Sequence, residues 1–332
     1  MLSRVADSLY WMSRYLERAE HTTRLLDVNL NLMLDESASS ADHRWPRLLR
    51  CLGTPRKVRW EGNPYKLAST LTFDKDLKTS VLSCVVQARE NARHVREQIS
   101  TEQWQRLNSL YLEVTRPEHR NVMQVESPEA SSEAPSAFLQ QVMEAIHQFQ
   151  GITDSTMSHG EGWQFIQVGR FLERAGTIAK LVAAYNDDLW AEPERAVDSN
   201  EYLEWMGLLR SATAFEAYCK VYTADLTPER ILEFLLLDAE FPHSLRFSIE
   251  SVETALGKIY ANAGSKDQKA RGEHLHRTAG RLSAQLGFSG VDELLSGNVV
   301  EFLRSVQTQC ETLHEGIYQL YVDYPIQLAL AG

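Results

Sequence analysis

Proline and glycine are scarce, at 10 and 17 of 332 residues, or about 8% together, where average usage is roughly 12%. So few chain breakers exclude a protein of many short strands and turns. Cysteine is scarcer still: Cys51, Cys84, Cys219 and Cys310 stand far apart with no CxxC pair. That excludes a disulfide framework or a zinc ribbon and fits reduced thiols in a cytoplasmic protein. No apolar run approaches the roughly 18 residues needed to cross a bilayer. The first twenty residues break their apolar content with charges every few positions, so no secretory core is expected there. Missing too are a P-loop and a GxGxxG turn, which would mark a nucleotide site, and a GxSxG elbow, which would mark a serine hydrolase.

What remains is an ordinary globular balance, 43% hydrophobic and 24% charged, enough for a sizeable core in one large domain or two ordinary ones. The net charge of −11 argues against non-specific binding to nucleic acid or an anionic membrane. The charge is uneven, though. Residues 43–121 hold 15 Lys/Arg against 8 Asp/Glu, and 44–59 contain six basic residues and no acid, bordered by Trp45 and Trp60.

Helical spacing dominates. From Leu2 to Met33, apolar residues recur by threes and fours along one seam of some nine turns, with Thr23 the single polar member. Residues 35–42 are small and polar and read as a loop, and 43–66 as a short helix followed by irregular chain. Helices are expected over 79–99, 101–115, 137–156, 161–187, 199–222, 228–237, 243–261, 266–287 and 297–322. The acidic, Ser/Pro-rich stretch 124–136 reads as a flexible linker. No alternating strand pattern occurs, so the expected fold class is all-α.

The chain also repeats itself. Residues 14–25 read RYLERAEHTTRL and residues 170–181 read RFLERAGTIAKL, identical at six of twelve positions. Residues 71–85 and 235–249 both fit L-x-x-D-x-[DE]-[LF]-x-x-S-[VL]-x-x-x-[VI], with Ser80 and Ser244 where an N-cap would start the next helix. Two blocks in one order at offsets of 156 and 164 predict a duplicated unit. One domain over 1–332 would then comprise a first half at 1–123 and a second at 137–332, related by a pseudo-two-fold axis.

On a helical wheel the Glu and Arg of each motif point about 100° apart and cannot pair on one face. Arg14, His21 and Arg24 flank Glu17, and Arg170, Thr177 and Lys180 surround Glu173. Each Glu is thus expected to be boxed by cations of its own helix, while Arg18 and Arg174 project beside apolar bulk. Arg14, Glu17, Arg18, Arg170, Glu173 and Arg174 are therefore expected to form a partly buried ion-pair network crossing between helices. Three functional readings compete with that structural one. Glu17-x-x-Glu20-His21 and Glu90-x-x-x-His94 have a metal-ligand look, but the second copy lacks the matching groups and the arginines would repel a cation. The cysteines sit in apolar helical contexts such as VLSCVV, where a thiol is normally a small hydrophobe. Finally, Arg47, Arg50, Arg56 and Trp60 are expected to be partly exposed, on a surface for an acidic protein or peptide.

The motifs LYWMSRYLERAEHTTRLLDVN at 9–29, QARENARHVREQIS at 87–100, EGWQFIQVGRFLERA at 161–175, LLRSATAFEAYCKVY at 208–222 and FLLLDAEFPHS at 234–244 resemble the α-E domain family of bacterial helical proteins. The resemblance covers nearly the whole chain. It implies an all-α fold and the company of circularly permuted ATP-grasp amide ligases and transglutaminase-like cysteine peptidases; it supplies no catalytic residues and no cofactor. The expected function is that of a non-catalytic helical partner of such a ligase in making or modifying a peptide amide bond. The alternatives are an enzyme that holds a carboxylate-bearing peptide through its Glu/Arg clusters, and an anion-binding module built on residues 44–60.

Overall fold

The unbroken apolar seam at the start of the chain folds as one long helix, α1 (Ser3–Leu32). The structure is a computed structural model that describes residues 3–33, 38–123, 133–189, 199–223, 225–261 and 266–323. Every secondary-structure element among the described residues is helical, and no strand occurs among them. After α1 come α2 (Ala38–Leu52), α3 (Pro64–Phe73), α4 (Val81–His94), α5 (Thr101–Thr115) and α6 (Glu133–Thr156). A second long helix, α7 (Glu161–Leu189), opens the next series: α8 (Ser199–Ser211), α9 (Phe215–Tyr222), α10 (Pro228–Leu232), α11 (Leu245–Ala261), α12 (Lys266–Phe288), α13 (Val291–Ser296) and α14 (Val299–Tyr318).

The helix starts follow local chemistry. Asn63 accepts a hydrogen bond from Lys66 N, with Pro64 at the first helical position. Ser100 and Gln103 form a reciprocal capping box on α5. The two repeated serines do the same job in the same way. Ser80 Oγ accepts from Ser83 N at 3.1 Å and donates to the Asp74 carbonyl at 2.7 Å. Ser244 Oγ accepts from Phe247 N at 2.9 Å and donates to the Asp238 carbonyl at 2.5 Å.

Several expected boundaries shift. Residues 38–42 are helical rather than looped, because Trp45 and Leu48 just beyond are buried and anchor that end of α2. Residues 133–136, the last four of the expected linker 124–136, are helical because α6 begins at Glu133, and 124–132 lie outside the described residues. The expected helix over 199–222 is broken by Thr213 at φ 54°, after which Ala214 starts α9. Residues 233–237 widen into a π turn before the Asp238 cap.

α1 and α7 form the centre of the molecule. α4 and α6 pack against α1, and α11 and α14 pack against α7. α5 bridges α4 and α6, as α12 bridges α11 and α14. The second helix of each series crosses over, α2 packing chiefly on α7 and α8 chiefly on α1. One hydrophobic core runs through both series.

Candidate functional site

α1 and α7 lie side by side and run the same way, so facing residues are about 156 positions apart. Gly169 shows how near they come: a methyl group there would overlap the Tyr10 carbonyl oxygen and the Ser13 hydroxyl. Only glycine permits that approach, and it brings both Glu-Arg motifs within reach of the opposite helix.

The pairing is crossed. Glu17 on α1 accepts Nε and Nη2 of Arg174 at 2.5 and 3.0 Å, and Arg170 Nε stands 3.8 Å away. Glu173 on α7 accepts Nε of Arg14 at 2.7 Å and Nε and Nη2 of Arg18 at 2.7 and 3.1 Å. This corrects the expectation that each Glu is boxed by its own helix; a wheel drawn for one helix omits the helix beside it. Both carboxylates are buried, Glu17 at 2% and Glu173 at 6% exposure. Burial alone would raise the Glu173 carboxyl, but Arg14 and Arg18 outweigh it and hold it far below the usual carboxylate range. In return Glu173 drives Arg14 and Arg18 upward against their own burial. Arg170, more distant from Glu17, is pushed down by burial and by Arg174 beside it. Arg174 also donates from Nη1 to the Pro242 carbonyl at 2.9 Å.

One turn further along, the copies diverge. On α1, Glu20 is buried and accepts Arg24 Nε at 2.7 Å, with His147 Nε2 of α6 at 3.6 Å. Burial opposes its charge, but Arg24, His147 and His243 together hold it well below the ordinary range. On α7 the matching residue is Gly176, and a Cβ there would meet nothing within 4 Å. A cavity of about 280 Å³ opens at this place, lined by Arg14, Arg18 and Glu173 on one side and by Gly176, Lys180 and His314 on another. His21 also lines it, at 6% exposure, and its buried Nε2 has no hydrogen-bond partner. Burial lowers His21 to about 4. His314 falls to about 4 through burial and the nearby Arg14, with its Nδ1 2.9 Å from the Tyr10 hydroxyl. Cys310, another lining residue, is raised to about 12 by burial, as is Cys84 beneath the motif.

The basic segment does not form one surface. Arg47 is buried, ion-paired with Glu204 and stacked 4.0 Å over the Tyr185 ring. Arg44 is buried against the same glutamate at 3.6 Å. The expectation that Arg47 is exposed is therefore corrected: α2 crosses onto α7, and its arginines bridge to α8. Arg50 and Arg56 are exposed, and Trp60 is half-buried, stacked on the buried Trp45 and donating to Asp42 at 2.7 Å. Among the described residues no group of three or more His, Cys, Asp or Glu could hold a metal ion. Glu90 is taken by Arg89 and Arg93, and His276 by Glu253.

Thr79 at the cavity and His243 beside Glu20 each precede the repeated serine, so the alignment of the two blocks brings them into correspondence. His314 at the cavity and His147 beside Glu20 carry no sequence signal, since α6 and α14 share no motif.

The family model Alpha-E, described as "A predicted alpha-helical domain with a conserved ER motif", matches residues 1–322. The chain belongs to the Alpha-E family. Glu17-Arg18 and Glu173-Arg174 are the Glu-Arg dipeptides of the repeated LERA block, and in this member they grip each other across the α1–α7 contact. Uncharacterized proteins of Mycobacterium tuberculosis and Mycobacterium bovis are similar to this Alpha-E chain, each 24% identical over 282 residues. The match covers 79% of the chain but 30% of those relatives' length. No solved structure matches. No helix among the described residues is long and apolar enough to cross a membrane.

Proposed function

We propose that this Alpha-E domain is a non-catalytic helical partner of an ATP-grasp-type amide ligase, acting in peptide synthesis or modification alongside a transglutaminase-like peptidase. The observation that carries this reading is the charge state of the motif. General acid–base catalysis works best when a group titrates near the operating pH. Here the groups are driven away from it: Glu173 down, Arg14 and Arg18 up, His21 and His314 to about 4, Cys84 and Cys310 to about 12. Such charge states favour a centre that holds helices together over one that shuttles protons. The mycobacterial relatives, in which the matching region is under a third of the polypeptide, favour a domain that works beside other domains. The exposed part of the basic segment, Arg50 and Arg56 with Lys57 and Arg59, is the proposed docking face for an acidic partner.

Mixing the purified chain with a neighbouring ligase tests the reading. ATP turnover or amide formation in the mixture and in neither protein alone is the expected result. Amide-forming or hydrolytic activity of the isolated chain, or a ligase indifferent to its presence, contradicts it. Reversing Arg50 and Arg56 to Glu should weaken co-purification most at low salt.

A further inference from the structure

The first copy contains a filled version of the site that the second copy leaves open. Around Glu20 stand Arg24 on the same helix, His147 from α6, and His243 just before the Ser244 cap of α11. The matching places around Gly176 hold Lys180 on the same helix, His314 from α14, and Thr79 just before the Ser80 cap of α4, all lining the cavity. Cation, imidazole and the residue before the cap are each present; the carboxylate is not. From this correspondence we infer that the cavity binds the carboxylate group of a small ligand or of a peptide end, seated where Glu20 places its own carboxylate in the first copy.

Charge and volume agree. Three cations line the cavity, Arg14, Arg18 and Lys180, against the carboxylates of Glu173 and the exposed Glu311. Glu173 is already satisfied by both arginines, and Lys180 has no ion pair among the described residues. One positive charge is left over, matched by one incoming carboxylate. His21, almost fully buried with its Nε2 unpartnered, and Thr79, whose buried Oγ1 is likewise unpartnered, add polar atoms that a ligand's remaining groups can satisfy. A volume of about 280 Å³ is nearly twice the roughly 150 Å³ of a cavity that takes benzene. That suits a ligand of one amino-acid residue or the last residue of a peptide.

Calorimetric titration of the full chain tests it, using sodium glutamate, an N-acetylated tripeptide with a free terminal carboxylate, the same tripeptide as its C-terminal amide, and inorganic phosphate. The free acid or glutamate should bind, the tighter of the two showing whether the natural source is a peptide end or a free amino acid, and the amide should bind at least tenfold more weakly. Gly176→Glu rebuilds the first-copy arrangement, with Glu four residues before Lys180 in the favourable order. It should abolish binding while raising the melting temperature. Gly151→Glu, at another helical glycine with open space around it, should leave binding unchanged. Lys180→Gln should weaken binding at least tenfold. Equal binding of acid and amide, binding of phosphate alone, no binding of either carboxylate, or unaltered binding by Gly176→Glu would each overturn the assignment.

Discussion

At the Glu17 centre one guanidinium, Arg174, closes on the carboxylate, a second stands back at 3.8 Å, and the space beyond is occupied by Glu20, Arg24 and His147. At the Glu173 centre two guanidiniums close on the carboxylate, and the space beyond is open. Both centres use the same dipeptide, and residues that differ within one helical turn separate them: Glu20 against Gly176, and His21 against Thr177. Crossed pairing explains why they can diverge. Each glutamate is satisfied by the other helix, so the turn that follows it is free of that duty and can either fill its surroundings or leave them empty. Buried ion pairs add little net stability against a hydrophobic alternative, but losing one partner is costly. The motif is therefore expected to act as a register lock for α1 against α7.

The largest effects should come from breaking the lock, and they should differ between centres. Glu17→Ala strands Arg174, whose side chain is 3% exposed, and should cost about 3–5 kcal/mol in chemical denaturation. Glu173→Ala strands Arg14 and Arg18, whose side chains are 14% and 23% exposed beside the cavity, so water can reach them. It should cost less than Glu17→Ala. The opposite order would mean that the cavity does not solvate those arginines.

Next comes pH. His21 sits near 4 when folded and near 6.5 when unfolded. Its folded value is the lower, so the unfolded chain takes up the proton first and stability falls as pH drops from about 6.5 to about 4. For this almost fully buried group the loss is about 3 kcal/mol. His21→Thr, which copies Thr177, should reduce that slope in denaturation curves taken across the window, the remainder being carried by His314, which also falls to about 4, and by the buried His243. Glu173, with its folded pKa depressed, contributes stability that is present above about pH 4.3 and lost only below it. The two windows are therefore separable.

Two glycines of α7 give the smaller effects, of opposite sign. Gly169→Ala forces a methyl group into the Tyr10 carbonyl and should cost about 1–3 kcal/mol. Gly176→Ala places its methyl group in open space and should stabilise by about 0.5–1 kcal/mol through helix propensity. Equal responses at the two positions would mean that α1 and α7 are not in close contact at 169.

Much of this was legible in the sequence, and the misses have physical reasons. The α1 seam, the serine caps at 80 and 244 and the burial of the two glutamates all followed from spacing and residue type. Periodicity cannot say which cation a buried Glu meets when helix–helix register decides it, so Arg14 was placed beside Glu17 rather than Glu173. Arg47, Arg50, Arg56 and Trp60 are expected at the surface from the local excess of positive charge and from their residue types. Arg44 and Arg47 are buried because Glu204, some 157 residues further on, lies on the helix packed nearby. The cavity was invisible for a related reason. Gly176 looks like an isolated helical glycine until Lys180, His314 and Thr79 converge on it from three helices or their caps.

The crossed pairing itself is tested most directly by double-mutant cycles on Glu17, once with Arg174 and once with Arg18, its neighbour in the dipeptide, read as unfolding free energies in denaturant. Coupling between contacting groups lies in the range of about 0.5–3 kcal/mol, whereas sites without shared partners add to within about 0.5 kcal/mol. The crossed arrangement predicts a Glu17–Arg174 coupling in the upper part of that range and a Glu17–Arg18 coupling well below it. A Glu17–Arg18 coupling equal to or larger than that with Arg174 would contradict it.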